Sequence, residues 1–190
     1  MTEAAASARR LPMIPRALAA WGDLRGAMRA ELDERPPDGR LLGYLMVALL
    51  INWVSAIPLR LKDQVEDVNA AIGMGFVATV FMAPLIFYAL AVLMTWSARA
   101  FGGKAGYYEH RLALFWGFLV AMPVIVLANV AENLIGGHLA IGAVSALGML
   151  YVLATCMAET NGHAAFWRGA AQVLLPSAVV MALSALARLL

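Results

Sequence analysis

Three polar residues, Asn129, Glu132 and Asn133, stand close together inside an otherwise apolar stretch. Their spacing of three and four residues places them on one face of an α-helix. An ionisable side chain within a membrane-spanning helix is by default a candidate for a substrate or proton pathway. Glu132, however, precedes a Gly-Gly turn by only about 6 Å of helix. An interfacial or structural carboxylate is therefore the favoured interpretation, and a substrate or proton role is the alternative.

The residues that usually carry catalysis or bind metals are few and scattered. His110 and His163 fall in predicted loops without a second ligand nearby, so we expect both to be solvent-exposed. The single cysteine, Cys156, has no partner for an intramolecular disulfide and no metal-ligand spacing around it. The glycine-rich stretch around Lys104 lacks the spacing of a P-loop and predicts a flexible turn. We therefore expect no catalytic residues, no cofactor and no metal, and hence no enzyme.

The composition indicates a membrane protein. Of the 190 residues, 63% are hydrophobic and 14% are charged, whereas soluble domains are roughly 45–50% apolar and about 25% charged. The net charge is +2, and the 14 Lys and Arg residues lie between apolar runs instead of forming one basic block. We therefore do not expect nucleic acid as a partner. The expected partner is the lipid bilayer.

Five apolar stretches approach the ~20 residues that a helix needs to cross ~30 Å of hydrocarbon. The predicted spans cover residues 41–58, 70–98, 112–135, 139–158 and 169–190. The second is long enough to require a tilt or a bend, for which Pro84 is the expected position. The predicted fold class is all-α, with a polytopic bundle of five transmembrane spans in residues 41–190. A cytoplasmic segment of residues 1–40 precedes it.

The distribution of cations predicts the orientation. With the N-terminus inside, eleven of the 14 Lys and Arg residues fall on the cytoplasmic side, in agreement with the positive-inside rule. Five spans then place the C-terminus on the opposite side of the membrane.

The N-terminal segment has the pattern of an amphipathic surface helix. Its apolar positions recur at steps of three and four residues: Leu18, Trp21, Leu24, Met28 and Leu32. The cations that can border this stripe are Arg16, Arg25 and Arg29. Such a helix can lie in the headgroup layer, with its arginines near anionic lipid. The alternative is that the same stripe packs onto the protein's own spans.

The fourth predicted span carries small residues at multiples of four, namely Gly142, Ala146, Ala154 and Ala158. Small side chains let membrane helices approach each other closely. The pattern predicts a helix-packing seam, whose partner is either another span of this chain or another membrane protein, including a second copy.

The region from Phe81 to Pro123 resembles the Yip family, the Ypt/Rab-interacting five-span membrane proteins, and in particular their bacterial branch. The features that carry the resemblance are a proline in the second span, the Gly102-Gly103-Lys104 turn, the aromatic pair Tyr107-Tyr108, and the proline in the middle of the third span. The remainder of the chain is similar in the number of spans and in the short surface segment before them.

The resemblance implies a helical five-span bundle with a cytoplasmic N-terminus and no catalytic residues. Eukaryotic members are associated with Rab GTPases through an Asp-Leu-Tyr-Gly-Pro motif and a Gly-Tyr motif. This chain lacks the first motif, and Gly117-Phe118 is its nearest approach to the second. The resemblance to the bacterial branch implies residence in a bacterial cytoplasmic membrane.

The expected function is therefore binding without catalysis. The chain is expected to organise the membrane or to accompany another membrane complex, with the bilayer and a membrane protein or a second copy as partners. The alternative is a small transporter, channel or lipid-moving protein that uses Glu132 near the outer interface.

Overall fold

The computed structural model describes residues 12–62 and 68–187, apart from the side chains of Val68, His138 and residues 179–187. The described elements are helical. In chain order they are α1 (Met13–Ala19), a 3₁₀ turn (Ala20–Gly22), α2 (Leu24–Glu34), α3 (Asp38–Lys62), α4 (Val68–Val77), a π-helical turn (Ala78–Met82), α5 (Ala83–Ala100), α6 (Tyr107–Ile135), α7 (His138–Thr160) and α8 (Phe166–Ala187).

Four helical stretches within the described residues are long and apolar enough to cross a membrane. They are Asp38–Lys62, Asn69–Ala100, Tyr107–Ile135 and Leu139–Thr160. They coincide with the first four predicted spans. At the position of the fifth lies α8, a helix of 22 residues. The described part of the chain is thus all-helical, and it contains four helical stretches long and apolar enough to span a membrane.

The bend expected at Pro84 takes the form of a π-helical turn. Proline has no N–H to donate, and its ring clashes with the carbonyl of the residue four positions earlier. The backbone widens into the π-helical turn Ala78–Met82 immediately before Pro84, and a regular α-helix resumes at Ala83. The second span is therefore one continuous stretch with a local distortion in its middle.

The N-terminal segment forms two helices, whereas the sequence pattern predicted one. The break lies at Asp23, whose backbone leaves the helical region (φ −156°, ψ 87°) and whose carboxylate accepts a hydrogen bond of 2.8 Å from the Gly26 backbone N–H. This is the N-cap arrangement that starts a new helix. The second helix, α2, ends at Arg35, which adopts the left-handed conformation with φ 50°.

The near end of the bundle is the end where α1 and α2 pack and where α3 and α6 begin. The far end is the end where α3 and α6 finish. The core lies towards the near end, where α6 is buried almost continuously from Leu112 to Met122. Towards the far end apolar side chains are exposed, as at Leu134 and Leu139. Exposed apolar helix surface of this kind suits contact with lipid.

Candidate functional site

The predicted polar cluster lies at the far end, where it joins α6 to α3. The side-chain amide of Asn129 donates to the hydroxyl of Ser55 at 2.7 Å. Lys62, the last residue of α3, donates to the backbone carbonyl of Asn133. Glu132 lies in the same turn of α6 and is half-buried. The structure therefore brings the three predicted residues next to a hydroxyl and a cation of the first span.

An apolar groove lies beside this interface, deeper in the bundle. Its volume is about 370 Å³. Helix α1 contributes Ile14, Ala17 and Leu18, α3 contributes Ile51, and α6 contributes five residues between Leu119 and Leu127. Ile51 and Ser55 are one turn apart on α3, and Val126 and Asn129 are one turn apart on α6. The groove and the polar cluster therefore follow one another along the same pair of helices.

The near wall of the groove is held in place by Trp21. The indole N–H of Trp21 donates to the backbone carbonyl of Val120 at 2.9 Å. In an apolar surrounding a polar group such as the indole N–H needs a hydrogen-bond partner, and the Val120 carbonyl supplies it. This contact fixes the 3₁₀ turn after α1 against α6.

A buried carboxylate anchors α1 and α2 to the first span. Glu31 is 2% exposed and accepts a hydrogen bond of 2.9 Å from the Tyr44 hydroxyl. It also forms an ion pair of 3.0 Å with Arg16. Burial raises the pKa of Glu31, while Arg16 and Tyr44 oppose that rise. Arg16 further pairs with Glu34 at 2.9 Å and lies over the ring of Trp116.

The predicted surface-helix residues divide into two groups. Leu24 and Met28 are buried in the protein core, whereas Leu18 is 53% and Trp21 is 39% exposed. For Leu24 and Met28 the structure shows the packing alternative. The break at Asp23 is the physical reason, because it turns the apolar face of α2 onto the bundle while α1 keeps one apolar flank outward.

Two of the three arginines predicted to border the surface helix, Arg25 and Arg29, contact protein groups at the end of α7. Arg29 forms an ion pair of 2.7 Å with Glu159 near the end of α7, and Arg25 lies 3.5 Å from the same carboxylate. Arg25 also donates to the backbone carbonyls of His163 and Ala164, at 3.3 and 3.0 Å. Helix α2 is thereby tied to the connection between α7 and α8.

The predicted small-residue seam on α7 forms a helix contact at its two positions nearer the end of α7, Ala154 and Ala158. Ala154 and Ala158 are buried and face Gly169 of α8 so closely that a methyl group at Gly169 would collide with their backbone atoms. Gly142 and Ala146 are exposed, and Gly142 has open space around it. The packing partner of Ala154 and Ala158 is thus α8, another helix of this chain.

Both histidines were expected in solvent, and both are buried. His110 is fully buried in the first turn of α6, where Nδ1 lies 2.8 Å from the carbonyl oxygen of Gly106. Its Nε2 faces the side-chain amide of Asn161 at 3.1 Å, and that amide also donates to the side-chain carbonyl of Gln172 at 3.0 Å. His163 is 8% exposed. The expectation failed because the loops fold over the near end, which local spacing does not reveal.

The interface between α3 and α6 offers hydrogen-bonding groups, the exposed ammonium group of Lys62 and an apolar groove. Within residues 12–62 and 68–187, no three His, Cys, Asp or Glu side chains gather as a metal site would require. No family model, curated protein or solved structure matches this chain. The hydrogen-bonding groups at the far end and the apolar groove on the same two helices are suited to a ligand that joins a polar group to an apolar one.

Proposed function

We propose that this protein is an integral membrane protein that acts by binding, either as an organiser of the bilayer or as an accessory of another membrane complex. In this proposal it is a five-span protein of the bacterial cytoplasmic membrane, similar to the Yip family, with a cytoplasmic near end. Four helices of spanning length and the eleven cations on one side of the predicted topology support this placement.

The observation that carries the proposal is the position of α1. Ile14 and Leu18 are at least half exposed, although α1 itself is fixed to the bundle through Arg16 and the following Trp21. A rigidly held helix therefore presents an apolar flank outward. In water such a flank would be unfavourable, whereas in the interfacial layer of a bilayer it is stabilising.

The depth of this flank agrees with an interfacial position. Val120, which accepts the hydrogen bond of Trp21, lies 15 residues before the end of α6 at Ile135, or about 22 Å along the helix axis. If Ile135 marks the far boundary of a hydrocarbon layer of ~30 Å, Trp21 lies about 8 Å below the near boundary. Surface helices bury their apolar faces about 5–10 Å into this layer.

A lipid-moving protein or small transporter is the second candidate. The observation that favours it is that Glu132 and Lys62 lie at the far end of the two helices, α3 and α6, that also line the apolar groove. Helix α6, however, carries buried apolar side chains at intermediate depth, including Leu119 and Met122. The binding function needs no continuous polar path and is therefore the preferred proposal.

Gentle solubilisation of the tagged full-length protein from its native membrane tests the proposal. The bound proteins and lipids are then identified and quantified against a tagged control membrane protein. A stoichiometric membrane-protein partner would support the accessory role, and a selectively retained lipid would support membrane organisation. Recovery of the protein with neither, in the same lipid mixture as the control, would contradict a binding function.

A further inference from the structure

We propose that the interface between α3 and α6 is a binding site for one phosphatidylethanolamine molecule of the far leaflet, with its phosphate at Lys62 and one acyl chain in the apolar groove. This inference deepens the proposed binding function and rests on it. It names the ligand class of the site.

The groove has the shape and lining of an acyl-chain site. Its 370 Å³ lie between α1, α3 and α6, and it opens to the outside at Leu18 and Leu127, which are 53% and 68% exposed. From Leu127 an apolar track leads along α6 to the far end through Val130 and Leu134, both exposed. These positions are spaced by three and four residues and therefore lie on one helix face. A chain lying in the groove can thus reach the far interface without crossing the protein.

The distance from the groove to Lys62 fits a phospholipid. Ile51 lies eleven residues before Lys62 on α3, so the two positions share a face and are about 16 Å apart along the axis. Half of a ~30 Å hydrocarbon layer is about 15 Å. When Lys62 lies at the far interface, the groove therefore lies near the middle of the bilayer, where the acyl chains of the far leaflet end.

Lys62 has the means to hold a phosphate. Its side chain is exposed and bonds the carbonyl of Asn133, and an ammonium group has three N–H donors. Donors remain for a phosphate oxygen, and the long side chain can reach the interface while its methylene groups stay against apolar surface. Charge-assisted hydrogen bonds to phosphate are among the strong polar contacts in proteins.

The charges around Lys62 favour a zwitterionic headgroup over an anionic one. Glu132 is half-buried and lies next to Asn133, whose backbone carbonyl accepts the hydrogen bond from Lys62. A carboxylate can accept several hydrogen bonds, so it can also receive the donors of an ethanolamine ammonium group. An anionic headgroup would meet the Glu132 carboxylate without a compensating cation of its own. Phosphatidylethanolamine is therefore preferred to phosphatidylglycerol.

A second groove supplies an internal comparison. It has about 410 Å³ and lies between α6 and α7, and its lining is apolar apart from Ser145. Val144 belongs to this lining and is 67% exposed. If any apolar groove bound phospholipid equally well, the two grooves would behave alike.

Native mass spectrometry of the full-length protein in detergent, with phosphatidylethanolamine or phosphatidylglycerol added, tests the site. The wild type should retain one phosphatidylethanolamine and bind phosphatidylglycerol less tightly. Lys62→Gln should weaken phosphatidylethanolamine binding about tenfold, the usual scale for losing a hydrogen bond to a charged group. Arg60→Gln is the matched control, because the Arg60 guanidinium lies against Gly75 of α4, away from the groove. It should change binding less than about twofold.

The apolar half of the site is tested by filling each groove. Val126→Phe should weaken phosphatidylethanolamine binding, and Val144→Phe should leave it unchanged. Equal effects of Lys62→Gln and Arg60→Gln, or a preference for phosphatidylglycerol, would overturn the site. If these tests fail while native solubilisation still recovers a protein partner, the proposed binding function stands and only the lipid site falls.

Discussion

The contact between α7 and α8 allows a sharp prediction from one glycine. A methyl group at Gly169 would lie 2.0 Å from the carbonyl oxygen of Ala154 and 2.9 Å from the backbone nitrogen of Ala158. Both contacts are with backbone atoms, so no side-chain rotation can relieve them. Gly169→Ala must therefore push the two helices apart or bend one of them.

The magnitude follows from two opposing effects. Overpacking a close interface costs about 1–3 kcal/mol, and the backbone contacts place this case at the upper end. Replacing glycine by alanine within a helix stabilises the helix by about 1 kcal/mol at most, and this gain offsets part of the cost. A net loss of about 2 kcal/mol corresponds to a fall of roughly 4–8 °C in the unfolding midpoint for a chain of this size.

The single cysteine provides the assay. Cys156 lies on α7 and is 1% exposed, so a thiol-reactive fluorogenic maleimide labels it only on unfolding. Gly142→Ala on the same helix is the control, because Gly142 is exposed with open space around it. It should leave the midpoint unchanged or raise it slightly. If Gly169→Ala is tolerated as well as Gly142→Ala, α7 and α8 do not pack as described.

Three further predictions concern charge and topology. Burial alone would raise the pKa of Glu34, but hydrogen bonds from Arg40 and Arg16 outweigh it and hold the pKa below its usual 4.5. The stability that Glu34 contributes is therefore complete above that pH and is lost as the pH falls through the lower folded value. The difference between wild type and Glu34→Gln in circular-dichroism melts should shrink in acid, and a difference that grows would refute the sign. Glu159→Gln should cost about 1 kcal/mol at low salt and less at high salt, whereas a salt-independent cost would contradict an ion-pair role. Reporter fusions should place the N-terminus in the cytoplasm and the C-terminus outside, and a cytoplasmic C-terminus would remove the fifth span.

The four spanning stretches could be predicted from the sequence because run length and hydropathy are local properties. The predicted positions of the first four spans agree with the helices to within a few residues at most boundaries, and Pro84 marked the distortion of the second. The break at Asp23 also had a local signal, since aspartate is a preferred N-cap residue. The apolar periodicity that continues across it pointed to one helix instead.

The contacts that build the site could not be predicted, because they join residues far apart in the chain. Trp21 and Val120 are 99 positions apart, and Asn129 and Ser55 are 74 positions apart. The sequence showed that Asn129 lay on a polar face, but the hydroxyl opposite it depends on how α3 packs against α6. The burial of His110 likewise depends on Asn161, on another helix terminus.

The fluorescence of Trp21 in vesicles tests the central claim most directly. The full-length protein is reconstituted with phospholipids brominated either near the glycerol end or near the tip of the acyl chain. The difference between wild type and Trp21→Phe isolates the emission of this residue from that of the other tryptophans. The account predicts that both lipids quench Trp21, because an indole about 8 Å below the interface lies near the middle of a leaflet with about 15 Å of hydrocarbon. If no brominated lipid quenches Trp21, the flank of α1 faces protein or water, and its role at the membrane surface is contradicted.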